Sequence, residues 1–285
     1  MIIPSFHHSS SAFNIKNHLP MATLEQLTGM GFSEDAAKAA LEAHGPTGGA
    51  LDALLGLAPH HSTQVVSASI SQYDVENGKS ACTCICLEAS LSILGCFGNG
   101  TWAGSPDDVA NMVNVGVAMY EAVAASSSLA VEHTSVADIL PTVARYGDAL
   151  QPATTEGTHQ GLLGTDKSIA SILRDIKSAR KEKNGAVAVA ITKPPETVVC
   201  FLPPENQAES DARTPRQWLL FDSHPRPQQG LVGASVRSFG GEESLVEALN
   251  ETFPAVDLGT NNVMASMYNM FDCVPLSLQR SSGER

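Results

Sequence analysis

The sequence predicts an α+β fold: a small bundle of three short helices, then a larger domain in which helices come first and strands later. Three observations predict it. Residues 23–57 carry capped, alanine-rich helical patterns. Between residues 105 and 181 the apolar positions follow helical spacing, as in Ile169, Ile172, Leu173 and Ile176. From residue 186 onward the pattern changes to short runs rich in Val, Leu and Ile, broken by Pro, Asn and Asp.

The elements follow in order. Residues 1–20 have no hydrophobic period and are expected to form a disordered tail, with Met21 an alternative start. In 21–57, Thr23 with Gln26 fits a capping box before Leu24 and Leu27. Ser33 can cap a second helix whose first turn holds Glu34 and Asp35, where the macrodipole favours anions, and Gly45 ends it. Thr47 can cap a third through Leu51, Leu54 and Leu55. Residues 58–66 read as a polar linker and 67–285 as one α+β domain.

Within that domain, 107–123 is a helix with Ser105 as cap and Pro106 at its first position. Residues 135–146 are helical in pattern, with Pro141 kinking or splitting them, and 168–181 form an amphipathic helix. Strands are expected at 186–191, 197–202, 217–222 and 232–239, a helix at 242–249, and a last strand at 263–271. Residues 203–216 read as a polar surface loop.

The chain has 285 residues, 43% hydrophobic and 16% charged, enough for a sizeable core. Thirty acidic against 17 basic residues give a net charge of −13. That argues against a general nucleic-acid binder, which needs a basic surface to neutralise phosphates, and against an anionic membrane partner. No stretch is expected to reach the roughly 18 apolar residues of a membrane span. The opening MIIPSFHHSSSAF lacks a basic region followed by a long apolar block, so no secretory signal is expected. A cytoplasmic or nuclear location is the resulting expectation.

The six cysteines are Cys82, Cys84, Cys86, Cys96, Cys200 and Cys273. Three alternate in one segment, too close to pair readily with one another, and a reducing compartment is the default. They are then core residues, metal ligands or a nucleophile. No second Cys/His cluster accompanies them, so neither a metal centre nor a cofactor is expected.

Met30-Gly31-Phe32 after a short helix, and Leu54-Leu55 at the end of a third, resemble a ubiquitin-associated (UBA) domain over nearly all of 23–57. The resemblance implies that these five residues form an apolar patch that binds ubiquitin. Met is adaptable, Gly permits a tight turn and Phe supplies area. The competing reading makes Phe32 and Leu54 plain core residues.

The chemistry-bearing text is Asn77-Gly78-Lys79-Ser80-Ala81-Cys82-Thr83-Cys84-Ile85-Cys86. Gly78 marks a turn, and an apolar helix then runs to Leu94, closed by Gly95. Cys82 lies at its N-terminus, where unsatisfied N–H groups and the positive dipole end stabilise a thiolate. Cys84 is the fallback nucleophile. Later, an apolar strand ends in Asp222-Ser223-His224. Residues i and i+2 share a strand face, so Asp222 can fix the tautomer and orientation of His224. His133 and His159 lie in polar loops without such a partner.

A Cys at a helix start followed by a late His oriented by an acid resembles the papain-like cysteine peptidases. More narrowly it is similar to the deubiquitinases related to herpesvirus tegument proteins, over roughly residues 70–240. Asp222-Ser223-His224-Pro225-Arg226 fits that group's Asp-x-His-x-Arg form. Pro225 departs from the aromatic residue that many other deubiquitinases place after the His. The resemblance implies helices packed on a central antiparallel sheet, Cys82 as nucleophile, His224 as base and Asp222 as its orienter. It also implies an upstream Gln that holds the oxyanion, matched by Gln72, with Asn77 the rival donor. The implied partner is ubiquitin or polyubiquitin, cleaved after its C-terminal glycine. The alternatives are an inactive ubiquitin receptor and a peptidase for a ubiquitin-like modifier.

Overall fold

The computed structural model describes residues 23–29, 33–44, 62–126, 134–182, 185–205, 216–257 and 263–279. The chain divides into two units, Met1–His60 and His61–Arg285. In the first, helices α1 (Leu24–Gly29) and α2 (Glu34–His44) form where the sequence places them. Glu34 and Asp35 occupy the first turn of α2, and Lys38 pairs with Glu34 one turn on at 2.7 Å. Met30, Gly31, Phe32, Leu54, Leu55 and the expected third helix lie outside the described residues, as do the tail 1–20 and residues 206–215 of the expected loop.

The second unit mixes helices with one antiparallel sheet. Its strands are β1 (Ser62–Ser67), β2 (Leu150–Pro152), β3 (His159–Leu162), β4 (Val187–Lys193), β5 (Glu196–Leu202), β6 (Trp218–Asp222), β7 (Ser235–Phe239) and β8 (Met270–Leu278). The sheet runs β1-β7-β6-β5-β4-β8-β2, with β3 also on β8. Its helices are α3 (Cys82–Cys96), α4 (Pro106–Ser126), α5 (Val136–Ile139), α6 (Ala144–Gly147), α7 (Ile169–Ala179), α8 (Glu242–Thr252) and α9 (Val263–Asn269).

Both faces of the sheet are covered, which is why the central strands read as continuous apolar runs rather than alternating ones. One face, with Ala188, Ala190, Val199, Phe201, Leu219 and Phe221, packs with α3 and α4. The other, with Val189, Ile191, Cys200 and Leu220, packs with the apolar stripes of α7 and α8. Strand alternation assigns each residue to its face. Helix α3 lies between sheet and α4 and is buried on nearly every side. At Gly116 a Cβ would collide with the Ile85 backbone, so only glycine lets α4 approach α3 this closely. The carboxylate of Glu88, buried on α3, is held bidentately by Arg145 of α6 at 2.7 and 2.8 Å.

Several expectations need correction. Residues 62–66 of the expected linker belong to β1, which pairs with β7. Gly95 does not stop α3, which continues to Cys96 and into a 3-10 turn at Phe97–Asn99. Residues 263–269 are helical, and the last strand is Met270–Leu278. Strands β1 to β3 precede the main run of strands; β2 and β3 are too short and polar to give a signal. Contrary to the expectation that no stretch reaches a membrane span, the window Cys82–Asn99 has a mean hydropathy of 1.4 and, among the described residues, is long and apolar enough for one; 67% of it is buried in the protein itself, as in a core helix. Pro141 does split its segment, into α5 and α6.

Candidate active site

The segment ahead of Cys82 is built from tight turns. Ser71 and Asp74 form a capping box around the 3-10 turn Gln72–Asp74. Asn77 takes a left-handed conformation, φ 62°, and opens a second 3-10 turn, Gly78–Ser80. A Cβ on Gly78 would strike the carbonyl oxygen of Gln72, so this residue must be glycine for the two turns to stack. Chain direction then carries Cys82 into the first position of α3. Ala81 before it offers no side-chain cap, which leaves the first-turn N–H groups to other acceptors.

The opposite wall comes from the end of β6. Asp222 and His224 are both buried. Oδ1 of Asp222 accepts from Nδ1 of His224 at 2.7 Å and from its backbone N–H at 2.9 Å. Oδ2 accepts from Nε of Arg226 at 2.7 Å, and the Arg226 guanidinium donates onward to Glu196 at 2.7 Å. Asp222 thus receives three donors and leaves Nε2 as the ring nitrogen free to face a substrate or a thiol. The Tyr73 and His224 rings meet in an edge-type contact, with centroids 5.9 Å apart and planes at 63°.

Cys82, His224, Tyr73, Glu196, Thr197 and Asp272 line a common cavity of about 210 Å³. Sγ of Cys82 lies 3.8 Å from the Pro195 carbonyl, a long contact. Burial pushes the Cys82 thiol up, but hydrogen bonding and charge from His224, with contacts to Thr197, together bring it below its ordinary 9.0. Burial pulls the His224 imidazole down, and Asp222, Cys82 and Glu196 more than reverse this, raising it to about 9. Burial likewise raises Asp222, and His224 with Arg226 holds it below the usual carboxylate range. All three shifts favour a thiolate beside an imidazolium that an ionised carboxylate supports.

The structure separates the three neighbouring cysteines. Burial pushes Cys84 up to about 12 and Cys86 well above the ordinary thiol. Cys86 donates to the Thr197 carbonyl at 3.2 Å. Cys84, the fallback, is therefore a protonated core residue. Of the two amides, Asn77 donates to Glu121 on α4 at 2.8 Å. Gln72 is buried; its Nε2 donates to the Lys79 carbonyl at 3.2 Å, and its Oε1 accepts from Ser223 at 2.6 Å. It joins the turn before Cys82 to the segment that carries His224.

The reading of His159 needs correction: it lies on β3, with Glu156 at 3.4 Å and Thr154 at 3.1 Å. His133 lies outside the described residues. Sequence reasoning missed Tyr73, Glu196, Thr197 and the Gln72–Ser223 bond. Tyr73 adjoins Gln72 and was within reach of the same argument. Glu196 gave no signal, because its partner Arg226 is 30 residues away. Among the described residues no group of three or more His, Cys, Asp or Glu side chains is placed to hold a metal ion. The arrangement can carry acyl transfer: a nucleophile, a proton acceptor oriented by a carboxylate, and N–H donors at a helix start.

No protein-family model matches the chain, and no curated protein matches it in sequence. Among solved structures it is similar to the ubiquitin-specific protease encoded by the murine cytomegalovirus tegument protein M48, solved with a ubiquitin-based suicide substrate. The identity is 14%, the match covers 78% of this chain and 89% of that one, and the TM-score is 0.45. That likeness is too slight to bear on function; the side-chain geometry bears on it directly.

Proposed function

We propose that the protein is a cysteine-type deubiquitinase, hydrolysing the (iso)peptide bond after the C-terminal glycine of ubiquitin. The observation that carries the catalytic half is the Cys82 thiol at the head of α3, lowered by an imidazole that the buried Asp222 orients. The ubiquitin half rests on the residues of the sequence: the Asp-x-His-x-Arg form at 222–226, and the Met30-Gly31-Phe32 and Leu54-Leu55 pattern.

In this reading the Cys82 thiolate attacks the glycine carbonyl carbon. The oxyanion is met by an N–H of Gln72 and the backbone N–H of Cys82. As the C–N bond breaks, His224 gives its proton to the leaving lysine amine, and a thioester remains. His224 then takes a proton from water, which displaces Cys82 and frees the ubiquitin carboxylate. Asp222 stays ionised throughout and holds the imidazole. The N-terminal unit binds a further ubiquitin and raises its local concentration, within the reach of the connecting chain.

The test is incubation with ubiquitin bearing a C-terminal electrophile, followed by mass-spectrometric mapping. Labelling at Cys82 that disappears in Cys82→Ala is the expected result. An intact protein that binds ubiquitin but takes no label would be an inactive receptor. Labelling only by probes built on another modifier would move the specificity to a ubiquitin-like protein.

A further inference from the structure

We propose that Ser223, between the acid and the base, is a positioning residue for the oxyanion donor Gln72. This rests on the thiol-peptidase reading above and adds to it a coupling between two parts of the site. Three hydrogen bonds carry it. The backbone N–H of Gln72 donates to the Ser223 carbonyl at 3.0 Å. The Ser223 hydroxyl donates to Oε1 of Gln72 at 2.6 Å, and Nε2 of Gln72 donates to the Lys79 carbonyl at 3.2 Å.

The chemistry of the partners fixes which way the amide faces. A backbone carbonyl only accepts, so the end of the amide at Lys79 must be the NH2 group. The other end is then the oxygen, and it meets the one group there that can donate, the Ser223 hydroxyl. A primary amide has two N–H bonds. Lys79 takes one, and the second is the one left for a developing oxyanion. Lys79, whose carbonyl takes that first N–H, lines the same cavity as Cys82. Ser223 is fully buried and Gln72 nearly so, and in such surroundings a satisfied hydrogen bond holds its geometry firmly. Because Ser223 sits between Asp222 and His224, the strand end that orients the base also orients the oxyanion donor.

The test is steady-state hydrolysis of a ubiquitin C-terminal fluorogenic amide by the full chain, paired with alkylation of Cys82 by iodoacetamide across pH. Displacement on iodoacetamide builds no carbonyl oxyanion, so it reports the Cys82–His224 pair alone. Ser223→Ala should lower kcat by about tenfold with KM unchanged, the size expected for losing one buried hydrogen bond. Gln72→Ala should lower it by about a hundredfold. Adding Ser223→Ala to Gln72→Ala should lower it no further, and the alkylation profile of Ser223→Ala should match the wild type. Ser223→Cys, similar in shape with a weaker donor, should lose less than Ser223→Ala and serves if that variant fails to fold.

Full kcat in Ser223→Ala and Ser223→Cys would overturn the proposal. So would an equal further loss in the Gln72→Ala background, or a displaced alkylation profile, which would place the effect on His224. With an active wild type these outcomes leave the peptidase reading standing; an inactive wild type takes both down.

Discussion

Asp222 and His224 lie two residues apart at the end of β6; Glu156 and His159 lie three apart around the start of β3. Both are an acid beside a histidine, and their environments differ in every respect that matters to chemistry. The Asp222 carboxylate is fully buried, 2.7 Å from Nδ1 of His224, while that of Glu156 is 76% exposed and 3.4 Å from Nδ1 of His159. Arg226 and Glu196 extend the first pair into a chain of four charged groups whose last member lines the same cavity as Cys82. The second borders a separate cavity with Lys167 and Asp175 and no cysteine. An exposed carboxylate is screened by water and a pair of that kind contributes about 0–1 kcal/mol. What gives a carboxylate leverage over its imidazole is the loss of water around both, with other donors in its place.

The comparison breaks most readily at the imidazoles. His224→Ala should lower kcat on a ubiquitin C-terminal amide by about 10⁴-fold or more. His159→Ala should leave it within about twofold, because His159 borders a separate cavity that holds no cysteine. Similar losses in the two variants would erase the distinction.

The carboxylates come next. Asp222→Asn should reduce kcat by about 10²–10⁴-fold, because the amide can hold the imidazole in the wrong tautomer. Removing the support of the acid is chiefly a matter of stability. Arg226→Ala leaves a buried carboxylate without its cation and should cost about 3–5 kcal/mol, read as a lower urea midpoint. Glu156→Gln should shift stability by no more than about 0.5 kcal/mol. An Arg226→Ala protein as stable as the wild type would show that Asp222 does not depend on its guanidinium.

The smallest effect is the dependence on pH. His224 rises from its ordinary 6.5 to about 9 in the folded protein. Its contribution to stability is therefore complete below 6.5 and fades as pH rises through about 9. Asp222 is held below its ordinary 3.8, so its contribution is complete above that value and is lost as pH falls through the lowered one. Cys82, held below 9.0, opposes the His224 decline over the same alkaline range, so urea midpoints measured from neutral to alkaline pH should decline in Cys82→Ala, and that slope should flatten when His224→Ala is added. An unchanged slope would assign that titration to another group.

Much of the fold was legible in local pattern. Ser105 and Pro106 announced α4, the 3.6-residue stripe of Ile169, Ile172, Leu173 and Ile176 announced α7, and apolar runs marked β4 to β7. What escaped was whatever depends on a distant partner. Residues 62–66 read as part of a polar linker until β7 stands beside them. Val263–Asn269 has the composition of a strand, yet it is a helix with Met264, Met267 and Tyr268 exposed, and the strand begins only at Met270. The final strand then enters the sheet between β4 and β2, a placement no local run can encode.

By itself the sequence determined the local terms: a cysteine at a helix start, an acid two residues before a histidine, and a glycine where two turns must touch. The strand ends at Asp222, so His224 meets the acid from a bend, through its backbone N–H and ring, and not by sharing a strand face. Helix termini, strand alternation and the steric demands of glycine act over a few residues, so they are written in a few residues. Only the tertiary structure decided which cysteine meets the imidazole, which amide is tied to the segment that carries His224, and which acid–histidine pair loses its water. Each of those depends on segments far apart in the chain being packed together, and burial, which sets the charges, exists only after that packing is complete.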